Sequence, residues 1–491
     1  MGWRGWPCDA FMTYAPSQYG QFGPTTLHRF LKHLPLAVLA GLLAPAALAQ
    51  GEVGAREPWT LQDALGLPDG VRIEGSIRPR YEALANPFVA GRTDDDELLS
   101  VRTLLSIEAD LGPALTLGGE LLDSRFILGN ESGGAAGEID TLEPAQLYLS
   151  WRPSDVLLTG ATLDLTAGRF TMDLGSRRLV ARAIYRSILT SFDGARAVWT
   201  APDKLAVTFA YVASALRAPA DASSALDNEV ALNRSSNTRL GLAHLDAPLP
   251  LGLRGELYVL DLDEDDSSNA ATRNRDFVTV GARLRQLQSK GRFDFELEYA
   301  HQSGTARASS SPLDVTPIDQ DAEMAHAAIG YTFDAPWSPY LSLQYDFASG
   351  DRSPADRASQ RFDTLFGDRA FEFGPTALDG FIARTNLASP GIRLEVRPDA
   401  ESDAYIMARD VRLVSETDSF GNSGVRDPAG LSGDHAGLQI EGRYRRWLVR
   451  DSLRLAVGAA IVATGGFLET APNATRQGDP VYGFSELTWT F

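Results

Sequence analysis

The chain has 491 residues and a net charge of −19. With 44% hydrophobic residues it carries more apolar surface than a disordered chain. Its single cysteine, Cys8, excludes a disulfide framework and a cysteine zinc site, and the acidic balance gives no reason to expect a nucleic-acid partner.

Residues 1–26 show no signal character and are expected to be an upstream extension from a start placed too early. The next stretch has the three parts of a signal peptide. Arg29 and Lys32 are basic, Leu34 to Leu43 is apolar, and Ala47-Leu48-Ala49 is a small-x-small cleavage site. The apolar run is too short to span a bilayer and contains Pro35, so residues 27–49 are assigned to a signal rather than an anchor. Residues 50–70 are expected to be a periplasmic lead-in with one short helix over Thr60 to Leu67, capped by Thr60 and followed by Gly70.

From residue 71 onward period two takes over. "VRIEGSIRPRYE" sets Val71, Ile73, Ile77 and Tyr81 against Arg72, Glu74, Ser76, Arg78, Arg80 and Glu82. "RFDFELEY", "LSLQYDF" and "LQIEGRYR" repeat the pattern near residues 292, 341 and 438. Such alternation predicts strands with one apolar and one polar face. The segments are longer than the five or six residues common in soluble sheets. The polar faces carry both signs of charge along whole strands. Connections alternate in length too. Short turns such as 111–114, 201–204, 288–291 and 448–451 separate long polar loops near 125–140, 173–190, 216–234, 350–385 and 417–433.

This organisation predicts an all-β fold over residues 71–491: a transmembrane antiparallel β-barrel of about eighteen strands in a Gram-negative outer membrane, with short periplasmic turns and long extracellular loops. The strands are expected to start near residues 71, 98, 114, 144, 160, 192, 204, 237, 252, 275, 291, 322, 339, 388, 403, 435, 452 and 481. The eighth ("RLGLAHL") and fifteenth ("YIMARDVRLV") alternate poorly. The last, "VYGFSELTWTF", is expected to close the ring against the first, with Trp489 and Phe491 facing lipid at the periplasmic rim.

A ring of this size admits water, so the inward faces set the chemistry. Parity turns Arg72, Arg78, Arg80, Arg102, Arg254, Arg283, Arg285, Arg393, Arg443, Arg445 and Glu296 inward. Two uses are open for such residues. Cross-strand ion pairs stiffen a wall, whereas unpaired arginines at a constriction read anions.

Two stretches carry a resemblance. "LTAGRFTMDLGSRRLVARAIYRSILTSFDGARAVW" (165–199) and "YDFASGDRSPADRASQRFDTLFGDRAFEFGPTALDGFIARTNLASPGIRLEVRP" (345–398) resemble the alginate-export family of outer-membrane barrels, and "DALGLPDGVRIEGSIRPRYEAL" fits as well. The resemblance implies an eighteen-stranded monomeric pore with an arginine-rich, mixed-charge lumen that passes a polyuronate outward. Its motif positions include Arg169, Arg177, Arg178, Arg182, Arg186, Asp193 and Arg196, which join the inward residues as expected pore contacts. The first stretch places Arg177, Arg178, Arg182 and Arg186 in one loop; if that loop dips inward, it forms an anion-selective constriction. "FDTLFGDRAFEFGP" holds four phenylalanines in a loop that water should bathe, which fits a plug or lid.

The expected partners are outer-membrane lipid and lipopolysaccharide, the barrel-assembly machinery and an anionic saccharide. No cofactor is expected. A general small-solute porin is the nearest rival. An outer-membrane enzyme is a distant one, since His244, His301, His326 and His435 sit in no motif. The acidic runs "DLDEDDSSN" and "RTDDDE" lack the spaced ligands and turn glycine of a calcium loop.

Overall fold

Alternation along the chain becomes a closed antiparallel wall in the computed structural model, which describes residues 59–129, 136–267, 271–353, 356–376 and 378–491. The upstream extension, the signal peptide, Cys8 and most of the lead-in lie outside the described residues. The strands are β1 (Val71–Ala85), β2 (Asp96–Asp110), β3 (Leu115–Gly129), β4 (Asp140–Trp151), β5 (Thr162–Thr171), β6 (Ser191–Thr200), β7 (Ala206–Leu216), β8 (Arg234–Pro248), β9 (Leu253–Glu264), β10 (Asp276–Gln286), β11 (Phe293–Arg307), β12 (Pro317–Thr332), β13 (Tyr340–Ala348), β14 (Ala358–Ser359), β15 (Leu387–Val396), β16 (Ser402–Arg412), β17 (His435–Val449), β18 (Leu453–Thr464) and β19 (Val481–Thr490). The two-residue β14 belongs to a loop and pairs parallel to β12. The other eighteen form the wall, each antiparallel to its neighbours, and β13 pairs directly with β15. No described helix is long and apolar enough to cross a membrane.

The ring closes where the sequence expects it. β1 pairs antiparallel with β19 from Ser76↔Thr490 to Ala85↔Val481, and Gly75 and Phe491 exchange both backbone hydrogen bonds, at 2.8 and 2.9 Å. Closure leaves no unpaired edge. The Phe491 ring covers Gly75, where a Cβ would collide with it. Trp59, Trp489 and Phe491 cluster at the short-turn rim with centroids 4.7–6.0 Å apart, the belt position where aromatics anchor a barrel. The lead-in helix is shorter than expected. It spans Leu61–Leu65, Thr60 caps it, and Gly66 in the left-handed region (φ 57°) ends it.

Along β7 to β12 the inward face changes character between the two rims. Near the long loops it is apolar: Leu240, Leu260, Leu262, Phe277 and Met324 are all at most 2% exposed. They pack with Leu179, Val180, Phe362, Phe373, Phe381 and Phe420 from the loops in one core cluster. The loops fold into the barrel and fill this half. Toward the short turns the inward face is charged.

Candidate functional site

Two loops build a partition across the lumen. One joins β5 to β6, the other joins β13 to β15. They zip together as a short parallel ladder through Val180 and Phe366. Phe366 N–H donates to Leu179 (2.9 Å), Ala181 N–H to Phe366 (3.0 Å) and Asp368 N–H to Arg177 (3.0 Å). Gly367 is required here, because a Cβ would collide with the Arg178 carbonyl.

Arg178 fixes this ladder to the wall. Its guanidinium, 3% exposed, meets Glu296 at 2.5 Å and also Glu298 and Glu372. Glu372 lies on the helical turn Ala370–Phe373 of the second loop and is shared with Arg384. Burial pushes the Glu372 carboxyl up, but Arg178, Arg384 and His326 pull it further down, to a net position below the usual carboxylate range. His326, Asp346 and Glu372 bring one nitrogen and two carboxylates together, a donor set for a metal. Arg178 and Arg384 already hold Glu372, and Arg409 holds Asp346 at 2.6 Å. That negative charge is spent on guanidiniums rather than offered to a cation.

The rest of the first loop is tied down from three sides. Arg182 pairs with Glu120 at 2.7 Å, and Arg186 with Glu138 at 3.0 Å. Burial pushes the Glu138 carboxyl up, yet Arg186 and the Ser187 N–H hold it net below its ordinary value. Arg78 and Arg102 bind the carbonyls of residues 184–186. Tyr185 donates to the Pro375 carbonyl of the second loop, and Arg80 stacks on its ring at 4.1 Å.

The partition leaves a cavity on each side. The one toward the long loops has about 580 Å³, and the one toward the short turns about 600 Å³. Asp368 and Ala370 line both, so the bridge between the loops is their common wall. The inner cavity is strongly unbalanced. Nine arginines line it, at 78, 80, 102, 177, 182, 393, 443, 445 and 454, against the four carboxylates of Glu74, Glu120, Asp368 and Glu486. Six of the nine have carboxylate partners. Among the described residues Arg102, Arg177 and Arg454 have none. Arg102 holds carbonyls, Arg177 stacks on Phe371 at 4.6 Å and Arg454 on Trp447 at 5.2 Å.

Of the eighteen expected contacts, ten line one of these cavities: Arg78, Arg80, Arg102, Arg177, Arg182, Arg393, Arg443 and Arg445 the inner, Arg178 and Arg186 the outer. The other eight do not, and each is held elsewhere. Arg72 is tied at the short-turn rim by Glu108 and Asp110. Arg169 binds Asp193 at 2.7 Å, Glu143 and the Asn233 carbonyl of the β7–β8 loop. Arg196 lies over Phe170 at 5.4 Å, and Arg254 pairs with Asp246 beside a turn. Arg283 bridges Glu256 and Glu296, with Arg285 also on Glu256, as cross-strand pairs of the wall.

Glu372, Arg384, Arg409 and Trp447 belong to the site without standing among the residues expected from sequence. Arg384 sits in the second resemblance stretch, and parity on β16 and β17 points Arg409 and Trp447 inward. Nothing local marks Glu372, because its partners lie more than 190 residues away in the case of Arg178.

Comparison with known proteins agrees with this geometry. The family model described as alginate export matches residues 71–481. No curated protein matches the chain. Among solved structures the barrel resembles Pseudomonas aeruginosa OccK8 (OprE) at 12% identity and TM-score 0.55, covering 86% of this chain and 98% of that one. OpdK of the same organism, crystallised with vanillate, is 11% identical at TM-score 0.55 over 86% and 98%. Its outer membrane protein OprD is 12% identical at 0.54 over 86% and 93%. At such identities the likeness is one of fold. An eighteen-stranded closed wall with a loop-constricted lumen, matched along nearly all its barrel, means that the chain belongs to the alginate-export family and is a pore of the Gram-negative outer membrane.

Proposed function

We propose that this pore passes anionic saccharides, with uronate oligomers as the substrate class. The observation that carries the reading is the inner cavity, with nine arginines to four carboxylates beside the constriction. Such an excess raises the local concentration of anions and favours their passage. It does so despite the chain's net charge of −19, because fields from distant surface charges are screened within about 10 Å at 0.1 M salt. Arginine suits this role because its fork grips a carboxylate bidentately and stays charged at any physiological pH. Trp447 and Phe371 add ring faces beside Arg454 and Arg177, surfaces on which the apolar face of a sugar can rest.

The test is electrical. The refolded barrel in a planar bilayer under a salt gradient should give an anion-selective reversal potential, and oligouronates should block or modulate the current. Neutralising Arg443, Arg445 and Arg454 together should move the reversal potential toward zero. A cation-selective barrel indifferent to oligouronates would sink the proposal. A second reading, a pore for small carboxylates, is favoured by the partition: each cavity has the size of a site for one drug-sized ligand, and OpdK was crystallised with such an acid. Block by vanillate but not by oligouronates would select it.

A further inference from the structure

Two guanidiniums of the inner cavity give all their hydrogen bonds to neutral acceptors. Arg78 on β1 and Arg102 on β2 stand directly opposite one another in the ladder, where like charges repel. The carboxylate beside them is already held by a third arginine. Arg78 Nε is 3.6 Å from Glu486, which Arg80 binds at 2.5 Å, and Arg102 has no carboxylate partner among the described residues. Instead both point at the turn of the β5–β6 loop. Arg78 donates to the carbonyls of Ile184 (3.2 Å), Tyr185 (3.1 Å) and Arg186 (3.1 Å), and to the Ser187 hydroxyl (3.2 Å). Arg102 donates to Ile184 and Arg186, both at 2.9 Å. Three successive carbonyls are thus gathered by two cations. The Nε of each arginine has no hydrogen-bond acceptor, although the side chains are 3% and 5% exposed.

A carboxylate offers a guanidinium full opposite charge and a bidentate fork, neither of which a neutral carbonyl supplies. We propose that Arg78 and Arg102 are positioning residues that hold the turn at residues 184–187 as a releasable latch. A carboxylate-bearing ligand in the inner cavity takes the guanidiniums from the carbonyls, and the turn lifts from the wall. This rests on the anion reading of the pore. Both arginines line the inner cavity, so the exchange occurs on the short-turn side of the partition. Arg178 is not part of this latch; it holds the loop's other end.

Ser100 of β2 lies beneath the turn, 1% exposed, with its hydroxyl 3.5 Å from that of Ser187. Ser100→Cys in a Cys8-free barrel therefore reports lifting through the rate of labelling by a small thiol reagent, with the Arg78 and Arg102 bonds to the turn intact. An oligouronate should raise that rate about tenfold or more, and a neutral oligosaccharide of equal length should not. Arg102→Gln should raise the ligand-free rate about tenfold, the fold-change for losing a charge-assisted hydrogen bond of about 1.4 kcal/mol. Ser187→Cys, on the turn itself, should follow the same order. The reversal potential is read on the same preparations. An anion-selective barrel whose labelling ignores both oligouronate and Arg102→Gln overturns the latch alone. A barrel with no anion preference and no response overturns the latch and the anion reading together.

Discussion

Replacing Arg178 with methionine should unseat the partition while the wall stands. The side chain keeps roughly its length but loses the charge that Glu296, Glu298 and Glu372 share. Removing one partner of a buried ion pair costs about 3–5 kcal/mol, because the charges left behind are desolvated and unpaired. Arg283, near Glu296 and Glu298, and Arg384, on Glu372, remain beside the acids and keep the cost near the lower end. The penalty falls on the seated state, since the same carboxylates regain water once the loops lift. A shift of about 3 kcal/mol multiplies the unseated population by roughly two decades. Single-channel recordings should then show a larger, noisier resting current. Arg178→Lys should fall between the two, because a compact ammonium cannot fork across three carboxylates. The heat-modifiable band on gels should not move, since closure depends on the β1–β19 ladder and not on Arg178. A current indistinguishable from the parent in conductance and noise would refute the idea that this cluster holds the constriction.

Three further outcomes follow from the same geometry. Glu138 and Glu372 both sit below the usual carboxylate range. A depressed carboxyl stabilises above its unfolded value, about 4.3, and loses that contribution as pH falls through the folded one. The loops should therefore hold from neutral pH to about pH 4 and flicker open below it, and a steady conductance down to pH 3 would contradict this. Gly367→Ala drives a methyl into the Arg178 carbonyl and should open the partition much as Arg178→Met does, with the parent's gel mobility; an unchanged current would show that the two-loop ladder is not the barrier. Deleting Phe491 removes the backbone pairing with Gly75 and the ring that covers it, so assembly yield should drop well before the conductance of the barrels that do insert. Normal yield would count against it.

The wall was legible because a strand between lipid and water obeys one rule at every second residue. Expected strand starts fall within five residues of the observed ones, the largest gap being at β12, which begins at Pro317 rather than 322. Eight expected contacts lie outside the two cavities for a different reason. Parity says which face a side chain takes, but not whether a carboxylate on the neighbouring strand has already claimed it, and Arg283 with Glu256 and Glu296 is such a case. The partition was legible only as arginines and phenylalanines placed where a solvated loop has no use for them. Its Glu372 depends on contacts with β12, β16 and two loops that no local pattern encodes.

The two weakly alternating strands are the most instructive. "RLGLAHL" and "YIMARDVRLV" alternate poorly, and the structure gives the reason. In β8, Leu240 and Leu242 point inward against the loop core, at 0% and 6% exposure. In β16 and just beyond it, Met407, Val411 and Leu413 are buried inward, at 0%, 0% and 3%. A lumen wall is polar only where it meets water. Where a loop folds in and dries it, both faces become apolar and the period-two signal fades. Weak alternation in an otherwise regular barrel is therefore a positional signal: it marks the strands against which the plug rests. By that rule the eighth and fifteenth strands locate the dry half of the lumen from sequence alone, and together with the loop phenylalanines Phe362, Phe373 and Phe381 they name both sides of the contact.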